Sequence, residues 1–196
     1  MVQLEHLQVL LLLLAALVLG GCATHWPETA LLNPQVIPSN QQYYSGNRIT
    51  MEGVDKREAA YVFSIKKKEK APVLVNSSQP LNNLLAEKLA EGLRSQGLEV
   101  GNSGTTNLTL AISTAAVTVE EKTFTYVTKS KVSLQVIADF QGNRLTKQFN
   151  MSSSKEEPGE PTMADLESIL NQQLGSVLQQ IMADEALRGY LKGQPS

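Results

Sequence analysis

Over residues 108–140 apolar and polar side chains alternate almost without a break. Leu108, Leu110 and Ile112 are separated by threonine, alanine and serine, and the pattern continues through Val117 and Val119. Phe124, Tyr126, Val132, Leu134, Val136, Ala138 and Phe140 take the even positions. Thr123, Thr125, Lys129, Lys131, Ser133, Gln135 and Asp139 take the odd ones. A period of two sends successive side chains to opposite faces of a strand. One face is therefore expected to be buried and the other wet, as in an antiparallel meander. Gly142-Asn143 turns the chain, and Leu145, Phe149 and Met151 carry a third strand. Residues 152–161 read as a polar loop.

The same period appears earlier in shorter pieces. Ile49 and Met51 alternate with Thr50 and Glu52 in a strand over 48–54. A second alternation over Tyr61–Ile65 is broken by Lys66-Lys67-Lys68-Glu69-Lys70 and resumes over Val73–Val75, which predicts a short hairpin with a charged tip. From Ser78 the period becomes helical. Leu81, Leu84, Leu85, Leu89 and Leu93 fall on one face, with Ser78 as a possible cap, Pro80 in the first turn and Gly97-Leu98 as the stop. Gly92, inside this helix, marks close packing on a sheet. Thr162 and Asp165 open a second helix with a capping-box-like pair. Its stripe is Leu166, Ile169, Leu170, Leu174, Val177, Leu178 and Ile181, ending near Asp184, with a short piece over Leu187–Leu191. A one-sided meander with two amphipathic helices predicts an α+β two-layer sandwich. Its sheet is mainly antiparallel, both helices lie on one face, and the core order is β-α-β-β-β-α with an extra hairpin after the first strand.

The first residues follow another rule. Val9–Leu19 is an eleven-residue run without charge or proline, ending in Leu19-Gly20-Gly21-Cys22. That length suits a signal h-region of roughly 7–15 residues and is short of the ~20 a spanning helix needs. The polar, proline-bearing sequence that follows is hard to reconcile with a buried core helix. Met1–His6 holds Glu5 and no Lys or Arg, unlike a usual signal n-region. The domain organisation is then a signal peptide over 1–21, an extended tether over 22–47 carrying Pro27, Pro34 and Pro38, one α+β domain over 48–191, and a tail over 192–196. Trp26 is either an interfacial anchor or an aromatic that packs back on the domain.

Composition narrows the chemistry. Removing the first 21 of 196 residues takes away one acid, Glu5, and no base, so the net charge moves from −2 to −1. Near-neutrality argues against nucleic acid as a partner, since phosphate neutralisation dominates such binding. Cys22 is the only cysteine, which excludes a disulfide framework. His6 and His25 are the only histidines, and both precede the domain. That removes a Ser-His-Asp triad, a histidine-ligated zinc site and the commonest general base. No metal and no enzymatic activity are expected.

The string Leu19-Gly20-Gly21-Cys22 resembles the bacterial lipobox. The resemblance implies cleavage before Cys22, a diacylglycerol thioether on its sulfur and an acyl chain, such as palmitate, on the new amino terminus. More than one chain is what durable anchoring takes. Ala23, where an aspartate would imply inner-membrane retention, implies the outer membrane. Several further strings resemble the YajG family of uncharacterised Gram-negative lipoproteins. They are Val54-Asp55-Lys56-Arg57, the helix end Leu93-Arg94-Ser95-Gln96-Gly97-Leu98-Glu99-Val100, the strand through Lys131–Ala138, Gly142-Asn143-Arg144-Leu145-Thr146-Lys147 and the C-terminal helix. This resemblance implies an outer-membrane lipoprotein facing the periplasm and carries over no catalytic residues. The element order also looks like that of lipopolysaccharide-assembly lipoproteins and of lipoproteins accessory to lipid transporters, an analogy of fold alone.

Few side chains stand out as sites. Asp55 and Arg57, two apart at a strand end, point the same way and form either a contact for a ligand or partner or a structural ion pair. Glu120-Glu121, Glu156-Glu157 and Asp184-Glu185 are adjacent acids that strands and loops ordinarily leave solvated. The Lys66–Lys70 run is most simply a solvated turn, although anionic headgroups would attract it. The expected role is a lipid-anchored accessory protein that meets an envelope protein or a second copy of itself. The alternative is a binding module for a lipid or cell-wall fragment.

Overall fold

A computed structural model describes residues 26–193, a mixed α+β fold built on an eight-stranded sheet and three helices. The strands are β1 (Thr29–Ala30), β2 (Arg48–Asp55), β3 (Tyr61–Lys66), β4 (Val73–Ser77), β5 (Glu99–Gly101), β6 (Thr106–Glu121), β7 (Tyr126–Phe140) and β8 (Asn143–Glu157). The helices are α1 (Leu81–Ser95), α2 (Met163–Ala183) and α3 (Glu185–Leu191).

Strand β6 is the spine. Along one edge it pairs with β7 over its whole length, and β8 lies beyond β7, both pairings antiparallel. Its other edge is shared. β2 pairs with residues 106–112 and β3 with residues 117–120, both in parallel. β5 lies outside β2 in parallel, β4 outside β3 antiparallel, and β1 outside β4 in parallel. The sheet thus forks at the middle of β6.

The fork coincides with a bulge. Ile112 opposes Leu134 and Thr114 opposes Ser133, so Ser113 is an extra residue. Such an insertion bends the strand and shifts its phase. Before it the even residues Leu108, Leu110 and Ile112 are buried; after it the odd residues Ala115, Val117 and Val119 are. Strand β7 keeps one phase throughout, with Val132, Leu134, Val136 and Ala138 inward.

The meander β6-β7-β8 and the β3–β4 hairpin are antiparallel as expected and hold most of the paired residues, while the pairings of β2 and β3 with β6, β2 with β5 and β1 with β4 are parallel, so the sheet is mixed. Alternation reports which face a residue occupies and not the direction of its neighbour. The chain between β2 and β6 includes the hairpin and α1, the long crossover a parallel pair needs. Strand β8 also extends to Glu157, through residues that read as loop.

Helix α1 contacts β2, β5 and β6, and α2 contacts β6, β7 and β8. Gly53 of β2 allows the first contact: a Cβ there would land on the carbonyl oxygen of Asn82, whose side-chain amide donates to Gly53 O at 3.0 Å. Gly92 serves a different neighbour from the sheet expected. A Cβ at Gly92 would meet Met182 of α2 and Val36. Ser78 does not cap α1; Pro80 takes the cap position without a side-chain bond, and Ser78 N donates to Ala30 O. The stop at Gly97 (φ +88°) forms as expected, Leu98 N reaching Leu93 O at 3.1 Å. Thr162 and Asp165 make the full capping box of α2. Asp184 ends α2 and caps α3 through Leu187 N at 2.8 Å.

Residues 26–47, read as a tether, are extended but lie against the domain. Ala30, Leu32 and Pro34 point inward in alternation. Leu31 N donates to Glu167 Oε1 and Asn33 N to Asn171 Oδ1, both at 2.8 Å, on α2. Ser39 N bonds Ser95 Oγ, and the amides of Tyr43 and Tyr44 share Gln96 O. Trp26 is buried in the core cluster.

Candidate functional site

Cys22 and its flanking Leu19, Gly20 and Gly21 lie outside the described residues. The other site expected from sequence, Asp55 and Arg57, sits at the fork. Strand β2 ends at Asp55 because its partner β6 bulges at the next residue, and Lys56 N makes a last bond to Ile112 O at 2.9 Å. The chain then loops out and returns as β3. Arg57 Nε and Nη2 donate to the Asp55 carboxylate at 2.9 and 2.8 Å, and Arg57 Nη1 donates to Tyr61 O at 3.2 Å. The side chain of Arg57 is only 7% exposed, that of Asp55 31%. The guanidinium bonds hold the Asp55 carboxyl below the usual carboxylate range. The pair staples both ends of the loop that crosses the fork. Around it Glu58, Ala59 and the segment Ser113–Ala116 line a shallow notch of ≈ 440 Å³.

Five of the six adjacent acids have a partner, a lysine ammonium, a hydroxyl or a backbone amide. Glu120 pairs with Lys122 at 2.9 Å, Glu157 with Lys155 at 2.7 Å and Asp184 with Lys147 at 2.5 Å. Glu156 accepts from Thr125 Oγ1 at 2.5 Å, and Glu121 accepts from Lys68 N at 3.1 Å. Lys122 lowers the Glu120 carboxyl, as Thr162 lowers that of Asp165. Burial pushes the Tyr44 hydroxyl up to about 12, against the pull of Arg188. Among the described residues no group of three or more histidine, cysteine or acidic side chains is placed to hold a metal ion. None of the described helices is long and apolar enough to cross a membrane.

One end of the sheet gathers features that sequence reading scattered. The tips of the β3–β4 and β6–β7 hairpins lie side by side there, joined by Lys68 N to Glu121, and Lys67 pairs with Glu160 beyond the end of β8 at 2.7 Å. That pairing raises the Lys67 ammonium. Phe124, expected on the buried face, is instead 87% exposed in the β6–β7 turn. Strand β7 begins only at Tyr126, so the even alternation reaches Phe124 outside the strand, in a turn that no described helix covers. Thr128 and Ser130 were missed in the other direction. They occupy inward even positions, and buried Ser130 bonds buried Gln173 of α2 (2.6 Å) and the exposed Ser153 of β8 (2.7 Å). The signal was two hydroxyls in an otherwise apolar register.

A family model described as uncharacterised lipoprotein matches residues 34–192. No curated protein matches the chain. Among solved structures, protein XCC0632 from Xanthomonas campestris, of family DUF330, superposes with a TM-score of 0.63 at 9% identity, covering 86% of this chain and 99% of that one. That similarity shows a shared fold. Rare lipoprotein B from Shewanella oneidensis aligns with a TM-score of 0.35 at 11% identity, over 70% of this chain and 95% of that one. The PelC dodecamer from Paraburkholderia phytofirmans aligns at 0.35 and 8%, over 76% and 94%.

Proposed function

We propose that this chain, which belongs to the family of uncharacterised lipoproteins, is held on the outer membrane by lipid on Cys22. It faces the periplasm and serves there as a non-enzymatic accessory protein that docks an envelope protein or a second copy of itself. Family membership and the run ending in Leu19-Gly20-Gly21-Cys22 support the anchor. Ala23 favours the outer over the inner membrane, and the strings that resemble those of the YajG family favour that branch of lipoproteins.

The docking role rests on one observation, the uncovered edge of β8. Among the described residues this strand, 15 residues long, pairs only with β7, leaving a row of backbone donors and acceptors open. Such an edge accepts an added strand from a partner. Lys147 and Lys155 interrupt it with charge, a device that discourages indiscriminate pairing. A non-enzymatic role is supported by the ion pairs and hydroxyl contact that engage Glu120, Glu156, Glu157 and Asp184. A lipid carrier would need room between helices and sheet, where Leu85, Leu89, Leu110, Leu174 and Val177 already pack together.

A photo-crosslinking residue at Ser152 on this edge, in membranes of the native host, tests the docking role. One defined envelope protein or a self-dimer is the expected adduct. A membrane-bound protein that yields no adduct from Ser152 contradicts it.

A further inference from the structure

We propose that the sheet end formed by the β3–β4 and β6–β7 tips rests on the phospholipid bilayer, with Phe124 inserted among the headgroups. This deepens the anchoring reading above and rests on lipidation of Cys22.

Only Ala23, Thr24 and His25 separate Cys22 from Trp26, which is buried in the core. Four residue steps of at most ~3.6 Å span about 14 Å even when fully extended. Acyl chains on Cys22 would therefore hold the domain against the membrane. The docked segment 26–47 offers no slack, since its backbone is bonded to α2 and to the end of α1.

The direction of β1 then selects the face. Because β1 is parallel to β4, with Thr29 opposite Asn76, the chain approaches β1 from the side on which β4 begins. Strand β4 begins at Val73, directly after the Lys66–Lys70 tip. The lipid attachment is thus closest to the end of the sheet where both hairpins turn.

That end is also where apolar surface is left uncovered. Of the five large hydrophobic residues exposed among the described ones, Phe124 (87%), Leu74 (52%) and Val73 (38%) belong to these two hairpins. Phe124 projects at the tip of its turn, where an aromatic ring suits the membrane interface. Charge contributes less. Lys67 and Lys122 are already paired with Glu160 and Glu120, and Lys66, Lys68 and Lys70 outnumber Glu69 and Glu121 by one charge. The contact is accordingly an apolar one that anionic lipid strengthens only modestly.

The test uses the full lipidated protein in phosphatidylcholine–phosphatidylglycerol vesicles. Acylation consumes the sulfur of Cys22, so a Thr123→Cys or Asn102→Cys substitution supplies the only free thiol for a bimane label. Thr123 adjoins Phe124, and Asn102 lies in the loop before β6 at the opposite end; both are exposed. Nitroxide lipids should quench the label at 123 several-fold more than at 102, and adding Phe124→Ser should reduce the quenching at 123 while the tether keeps it above that at 102. Equal quenching at both positions, with lipid on Cys22 verified by intact mass, overturns the orientation and leaves anchoring intact. An unmodified Cys22 overturns both.

Discussion

Deleting one residue from β6 should be harmless at Ser113 and ruinous four positions earlier. Ser113 is the extra residue of the bulge, so its removal leaves Ile112 opposite Leu134 and brings Thr114 into regular succession opposite Ser133. Every inward residue on either side of the deletion stays inward. The expected cost is that of losing a local bend and an exposed serine, about 1 kcal/mol, within the range of an ordinary substitution. Deleting Thr109 has the opposite consequence. A shift of one residue sends side chains to the other face, so either Thr106 and Leu108 or Leu110 and Ile112 must leave the core. All four are buried. Exposing Leu110 and Ile112 costs roughly 1.5–3 kcal/mol each. The ladder to β2 or β7 would slip with them, bringing the total to about 5 kcal/mol, comparable with the whole stability of a small domain. Urea unfolding of the unlipidated mature chain, followed by circular dichroism, measures both. A cooperative transition near wild type is expected for the Ser113 deletion and none for the Thr109 deletion. Equal loss of cooperativity in both would refute the bulge and the phase change built on it.

Gly53→Ala should destabilise by about 1–3 kcal/mol, because its methyl meets the fixed carbonyl of Asn82; Gly101→Ala, with open space around it, should be neutral in the same urea titration. Arg57→Leu should cost about 2 kcal/mol by leaving Asp55 unpaired, less than a fully buried pair because that carboxylate is partly wet. The folded-state value of Asp55 lies below its unfolded one, so the pair's stabilisation is present above the ordinary carboxylate range and lost as pH falls from there through the lowered folded value. An acid titration of stability should therefore be shallower for Arg57→Leu than for wild type, and identical slopes would dissociate the pair from fork stability. Thr162→Ala should remove about 1 kcal/mol by opening the α2 capping box, measurable as a lowered Tm.

Much of this fold was legible in the chain, and the failures have physical causes. Helical stripes and the long strands were read from their periods because each has one dry face. The shift from Leu108, Leu110 and Ile112 to Val117 and Val119 was also visible, and an even-to-odd change demands an extra residue; reading it as continuation hid the fork. Pairing direction was not legible, since Ile49 and Met51 alternate identically beside a parallel or an antiparallel neighbour. Segment 26–47 concealed its docking because the outward Leu31 spoils the alternation of Ala30, Leu32 and Pro34. Of the site, the Asp55–Arg57 pair was found as a pair, while its place at the fork required the three-dimensional register. Phe124 was misassigned because alternation carries no marker for where a strand leaves the cover of its helix.

The most direct measurement on the central claim is the intact mass of the protein extracted from membranes. The expected species is a chain beginning at Cys22 that carries a diacylglyceryl group and an amide-linked acyl chain. A mass matching the unmodified sequence from Met1 would contradict it.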